Sequence, residues 1–128
     1  MSRADTAQET QTARETRVIE TALLRAAELL GLSNKDLAQI TGISEASASR
    51  LKNNQTPYAL AGKSRELAIL FLRLFRALDS IVGGEDAVAA KWLRVENTAL
   101  GSKPLEMIYS ISGLTAVLAY LDARRAII

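Results

Sequence analysis

The sequence contains neither cysteine nor histidine among its 128 residues. It therefore has no thiolate or imidazole to bind zinc, cannot form a disulfide, and lacks the nucleophile and the base of the commonest catalytic pairs. Its 14 aspartates and glutamates leave carboxylate chemistry conceivable. No pair of them is isolated in an apolar segment that would raise a pKa. We therefore predict a protein that is not an enzyme and that needs no metal and no cofactor.

Long apolar runs are also missing. The longest, Leu67 to Leu72, is followed closely by Arg73 and Arg76, whereas a membrane span needs about 20 apolar residues. The N-terminal segment is charged and has no hydrophobic region typical of a secretory signal. We therefore expect no contact with a membrane and a cytoplasmic location.

The net charge of +2 is a weak basic bias that does not by itself argue for nucleic acid. Positive and negative side chains are also distributed evenly along the chain. A DNA-binding surface would therefore have to be a local patch.

Helical periodicity dominates the pattern. Residues 1–16 contain no apolar residue larger than alanine after Met1, which predicts a disordered arm. From Val18 onward apolar residues recur at steps of three and four, with Glu20 assigned to the opposite, polar side. This pattern predicts an amphipathic first helix within a module covering residues 17–82.

A pair of short helices is predicted between residues 33 and 52. Ser33 is a suitable N-cap for the first of them, Gly42 can adopt the positive φ that ends it, and Ser44 is a suitable N-cap for the next. Ala38 is small where the two helices would cross. The spacing is typical of a helix-turn-helix, although an αα-hairpin that only forms a core is the alternative.

The second of these helices has one polar face. At 100° per residue, the polar face is an arc of about 140°, and Ser47, Ala48 and Leu51 are assigned to the opposite side of the helix. Arg50 could contact guanine in a bidentate manner, while Ser44 and Asn34 could donate to phosphates from helix starts. The predicted DNA-binding residues are Asn34, Ser44, Glu45, Ala46, Ser49, Arg50 and Asn53.

This segment resembles the Xre/Cro helix-turn-helix family, which implies DNA binding. Ala48 departs from the family, which usually has a larger β-branched residue there. The resemblance lies in Leu32-Ser33, Leu37-Ala38, Gly42-Ile43-Ser44 and Ser49-Arg50-Leu51.

A long connecting helix is predicted from about Ser64 to Val82. It is apolar around most of its circumference, so it needs more than one packing partner. Ile69 and Leu72 interrupt its polar arc and are candidates for a dimer interface. A central helix enclosed by its own chain is an equally good interpretation, and both can hold together.

Gly83-Gly84 separates a second module, residues 83–128. Three short helices are predicted within it, over Ala87–Leu93, Leu105–Ile111 and Leu114–Leu121. Trp92 lies on the apolar face of the first, with Val88, and is better explained as core than as a ligand platform.

The second module resembles the toxin-binding domain of the Xre/MbcA/ParS antitoxins. Lys103 and the C-terminal ending depart from the family pattern. The matching residues are Ala90-Lys91-Trp92-Leu93, Asn97, Leu100-Gly101, Pro104-Leu105, Gly113, Val117 and Leu121.

This resemblance implies an all-α antitoxin of a bacterial type II toxin-antitoxin pair. Its partner would be a RES-domain toxin that consumes NAD or transfers ADP-ribose from it, and its first half would bind an operator with an inverted repeat as a homodimer. The alternative is a stand-alone Xre-type repressor whose second half only dimerises. The expected toxin-binding residues are Tyr120, Asp122, Arg124, Arg125, Ile127 and Ile128.

Overall fold

The computed structural model describes residues 3–54 and 60–126, with side chains from residue 11 onward. Within these ranges the chain forms seven helices and no β-strand, which confirms the predicted all-α fold. The helices are α1 (Arg3–Leu30), α2 (Asn34–Thr41), α3 (Glu45–Lys52), α4 (Lys63–Ile81), α5 (Asp86–Arg94), α6 (Pro104–Met107) and α7 (Ile111–Ala126).

The first helix begins at Arg3, so the prediction of a disordered arm was wrong for residues 3–16. Alanine, glutamate, glutamine and arginine are good helix formers, and extending an existing helix avoids the cost of a new nucleus. The end of this segment also contacts the body of the molecule. Thr16 is buried, and the Glu15 carboxylate lies 3.4 Å from the Arg65 guanidinium on α4.

The buried face of α1 is rotated relative to the predicted one. Val18 is 68% exposed and Glu20 is 6% exposed, the reverse of the prediction. Glu20 lies at helical spacing from Thr16 and Leu23, which are both buried, so it shares their face. Its Oε2 accepts a hydrogen bond from the Leu60 amide at 3.5 Å.

Helix α4 lies at the centre of the molecule. It packs against α1 and α2, which precede it in the chain, and against α5 and α7, which follow it. A single hydrophobic core therefore extends through both predicted modules. The fully buried residues of α4 are Ala68, Phe71, Leu74, Ala77 and Leu78.

The C-terminal helices differ in detail from the predicted ones. The segment predicted as one helix up to Ile111 is the short α6 followed by a turn, after which α7 begins at Ile111. Gly113 permits this turn, because a Cβ atom there would collide with the Met107 carbonyl oxygen. The prediction that Val88 points inward was also wrong. Val88 is 46% exposed, and its neighbour Ala89 is buried instead.

A polar contact joins the two halves beside this core. The Tyr109 hydroxyl, in the turn after α6, donates to Asp36 Oδ1 on α2 at 2.8 Å. Burial raises the pKa of Asp36, but hydrogen bonds from the Ser33 amide and from Tyr109 outweigh it, so the pKa of Asp36 lies below its ordinary value. Burial and the bond to this carboxylate raise the pKa of Tyr109 to about 12.

The raised pKa predicts a pH dependence of stability in alkaline solution. Folding favours the protonated form of Tyr109. The contribution of its hydroxyl to the free energy of unfolding is therefore fully present below the ordinary pKa of 10.0, and it is lost as the pH rises through about 12. We expect the difference in free energy of unfolding between the wild type and Tyr109→Phe to shrink over this interval, because a tyrosinate would be repelled by Asp36. Urea titrations of both proteins at a series of pH values measure this difference. A difference that stays constant from neutral pH to about 12 would contradict the contact.

Candidate functional site

The helix-turn-helix forms as predicted from its capping residues. The Ser33 hydroxyl accepts a hydrogen bond from the Asp36 amide at 3.0 Å, and the Asp36 carboxylate accepts one from the Ser33 amide at 2.9 Å. Gly42 ends α2 with φ of 77°, in the left-handed region. Ser44 caps α3 by accepting from the Ser47 amide at 3.0 Å. These contacts fix both ends of the turn between α2 and α3.

One side of α3 is buried and the other faces solvent. Ala48 and Leu51 are buried in the core, so the small Ala48 is fully enclosed even though a larger residue is usual in the family. Ser49 is half-buried at the margin of the exposed face. The predicted residues that are fully solvent-facing on this helix and its cap are Ser44, Glu45, Ala46, Arg50 and Asn53.

Hydroxyl groups orient Arg50 on this exposed face. Arg50 Nη2 donates to Ser47 Oγ at 3.1 Å, and the Ser44 hydroxyl donates to the same oxygen at 3.0 Å. The Ser44 side chain is therefore occupied by the helix cap and by Ser47. The prediction that Ser47 lies on the side opposite the polar face was wrong, because its hydroxyl contacts Arg50. Its position three residues before Arg50 is the signal for such a contact.

Helix α2 contains the predicted residue Asn34 and two residues, Lys35 and Gln39, that the sequence reasoning missed. Asn34 is half-buried, and within the described residues its Oδ1 atom has no hydrogen-bond partner. Exposed Lys35 and Gln39 line a shallow cleft of about 420 Å³ between α2 and α3. The position of Lys35 was the signal that could have found it. It lies in the first turn of a helix with a predicted N-cap, and the N-terminus of a helix attracts anions such as phosphate.

At the other end of the chain, aromatic residues form a stack on α5 and α7. The Tyr120 ring stacks on Trp92, with centroids 6.3 Å apart and planes inclined by 17°. The Arg124 guanidinium carbon lies 5.8 Å from the centroid of the Tyr120 ring, within the range of a cation–π contact. Trp92 and Tyr120 are half-buried against the core. The partnership of Trp92 with Tyr120 was not predicted.

The predicted toxin-binding residues on α7 lie at its solvent-facing end. Asp122, Arg124 and Arg125 are exposed, whereas Leu121 just before them is buried. Ile127 and Ile128 lie outside the described residues. The end of α7 therefore presents one carboxylate and two guanidinium groups to solvent.

The predicted dimer residues on α4 differ in exposure. The Ile69 residue is 37% exposed, and Leu72 is half-buried and packs against the core. Ile69 shares an exposed strip with Arg73 and Arg76. Of the two predicted dimer residues, only Ile69 can therefore contact a second copy of the chain without a rearrangement of the core.

Over residues 3–54 and 60–126, no group of three or more acidic side chains is arranged to hold a metal ion. No helix in this part of the chain combines the length and apolar character of a membrane span.

Comparisons with known proteins match the chain in two segments. Residues 16–73 match the family model of the antitoxin Xre-like helix-turn-helix domain. Residues 77–126 match the family model of the antitoxin Xre/MbcA/ParS C-terminal toxin-binding domain. A comparison with curated proteins gave no significant match. Because these two models follow one another along the helix-turn-helix and the α5–α7 region, the chain belongs to the Xre/MbcA/ParS-type antitoxins.

Proposed function

We propose that this antitoxin neutralises a RES-domain toxin in the cytoplasm and represses transcription of its own operon, without catalysis of its own. The observation that carries the proposal is the exposed end of α7. It lies in the part of the chain that matches a toxin-binding domain, and its charged residues have solvent rather than protein as their main environment.

The chemistry of an NAD-consuming cleft supports this assignment. Such a cleft must accept a pyrophosphate, so it carries positive charge beside an apolar slot for adenine. The Asp122 carboxylate would take the place of the anion, and Ile127 and Ile128 would fill apolar space. Arg124 and Arg125 would instead contact acidic groups at the rim, where each exposed ion pair contributes about 1 kcal/mol or less. Stacking on Tyr120 restrains Arg124 before the toxin binds.

Operator binding is proposed for the exposed face of α3. Small residues such as Ala46 and Ser49 allow this helix to approach base edges, and Arg50 provides the bidentate donor that guanine accepts. The starts of α2 and α3 would lie near phosphates, where Asn34 and Lys35 contribute donors and positive charge. Two copies joined through Ile69 of α4 would read an inverted repeat.

A stand-alone repressor whose second half only dimerises is the second candidate. Val88, Val95 and Ile111 are exposed apolar residues of the second half and would favour a contact between copies of the chain there. Gene neighbourhood separates the two candidates, since an antitoxin gene lies beside a toxin gene and a solitary regulator need not.

Substitution of Arg50 tests the DNA-binding face. We expect Arg50→Ala to weaken specific operator binding by ~1 to 3 kcal/mol, because a bidentate contact to guanine is lost. Toxin binding should not change. A mobility-shift titration measures the effect, with Arg25→Ala as a control that removes an exposed arginine from α1 instead. Equal affinity of Arg50→Ala and the wild type would refute the role of Arg50.

Removal of the C-terminal end tests neutralisation. A chain that ends at Leu121 keeps the buried residues of α7 and loses only exposed or undescribed ones. We expect it to retain operator binding and the helical circular dichroism signal, while the toxin resumes NAD consumption and growth stops on co-expression. Continued growth would show that residues 122–128 are dispensable.

The oligomeric state tests the strip on α4. We expect Ile69→Glu to give a folded monomer in sedimentation velocity, because a charge would be buried against an apolar partner in the dimer and exposed in the monomer. Adding Leu72→Glu should also reduce the helical signal, since Leu72 packs against the core. A persistent dimer of Ile69→Glu would place the subunit interface elsewhere.

A further inference from the structure

The turn between α1 and α2 is a rigid unit. Gly31 has φ of 66°, the Leu32 amide donates to the Ala27 carbonyl at 2.8 Å, and the Gly31 amide donates to the Glu28 carbonyl at 3.2 Å. These are the paired hydrogen bonds of a Schellman motif, which ends a helix in a defined geometry. Ser33, the N-cap of α2, follows Leu32 directly, so the turn is also connected to the start of α2.

Two consecutive carbonyl groups of this turn are held from opposite parts of the molecule. Arg94 Nη2, on α5, donates to the Gly31 carbonyl at 3.0 Å. Lys52 Nζ, in the last turn of α3, donates to the Leu32 carbonyl at 3.2 Å. The turn is thus bonded at once to the helix that would read DNA and to a helix of the toxin-binding domain.

The residues of the toxin-binding domain are themselves restrained. Arg94 Nη1 donates to the Ala90 carbonyl of its own helix at 2.7 Å, so its guanidinium bridges α5 and the turn. Tyr109 holds one oxygen of the Asp36 carboxylate, while the Ser33 amide holds the other. Gly31, Leu32 and Ser33 are consequently each fixed by a neighbouring side chain.

We propose that Arg94 and Tyr109 are positioning residues for DNA binding. They lie within the matched toxin-binding domain, yet they hold the α1–α2 turn, and through Lys52 and the start of α2 they set the orientation of α3. This inference rests on the proposed operator binding. It assigns a second role to a domain that the family match connects only with the toxin.

Operator affinity of matched variants tests this role, with the promoter DNA upstream of the reading frame as the probe. Tyr109→Phe and Arg94→Gln each remove one hydrogen bond to the junction formed by the α1–α2 turn and the start of α2. We expect each variant to bind the DNA up to ~10-fold more weakly, because a junction that is held less firmly must be ordered when the DNA binds. Lys91→Gln is the control, because it removes an exposed cation from the same helix. Its affinity should equal that of the wild type.

The salt dependence separates positioning from direct contact. For Arg94→Gln we expect weaker binding with an unchanged slope of log affinity against log salt concentration. A slope reduced by about one would show that Arg94 itself contacts a phosphate and would overturn the proposal. All titrations are made at a temperature well below the unfolding midpoint of each variant, where nearly all of the protein is folded. A loss of stability alone therefore leaves the measured affinity unchanged. Unchanged affinity of both variants would also overturn it.

Hydrogen exchange provides a measurement that does not depend on the operator. In Tyr109→Phe we expect faster amide exchange in α2 and α3, with exchange in α7 as in the wild type. If the wild type does not bind the promoter DNA, operator binding itself fails while this measurement still tests the junction. Exchange rates in α2 and α3 that equal the wild-type rates would contradict the junction.

Discussion

Burial of α4 is the interaction on which the rest of the structure depends. Phe71, Leu74 and Leu78 are at most 1% exposed, and each such side chain contributes roughly 1.5–3 kcal/mol when it is removed from water. A chain of 128 residues has little material for two independent cores. Sharing one central helix lets a small protein support a helix-turn-helix and a half that matches a toxin-binding domain together.

Both proposed interfaces use the solvent-facing sides of helices whose other sides lie in this core. Helix α3 is held by Ala48 and Leu51, and α7 is held by Leu118 and Leu121. Side chains on such anchored helices keep a defined position, which reduces the ordering cost of binding. Two polar contacts, from Arg94 on α5 to the α1–α2 turn and from Tyr109 to Asp36 on α2, then join the halves in a way that apolar packing alone does not provide.

Local signals were sufficient to predict the helix-turn-helix, because caps such as Ser33 and Ser44 and the left-handed Gly42 depend on nearby backbone. Local sequence patterns failed where burial or a contact depends on residues that are distant in the sequence. The buried face of α1 is selected by what packs on it, so periodicity alone assigned Glu20 to solvent. The stack of Trp92 on Tyr120 joins residues that are far apart in sequence, and no local pattern indicates it. The predicted roles in DNA and toxin binding stay predictions.

Co-purification with the product of the adjacent gene tests the central claim most directly. The tagged antitoxin is expressed together with the untagged neighbour and is recovered by affinity and size-exclusion chromatography. If the chain is an antitoxin for a RES-domain toxin, the neighbour elutes with it in a fixed ratio and its NAD consumption is inhibited in the complex. If the chain elutes alone and the neighbour is active in its presence, the account of α5–α7 as a toxin-binding domain in this protein is contradicted.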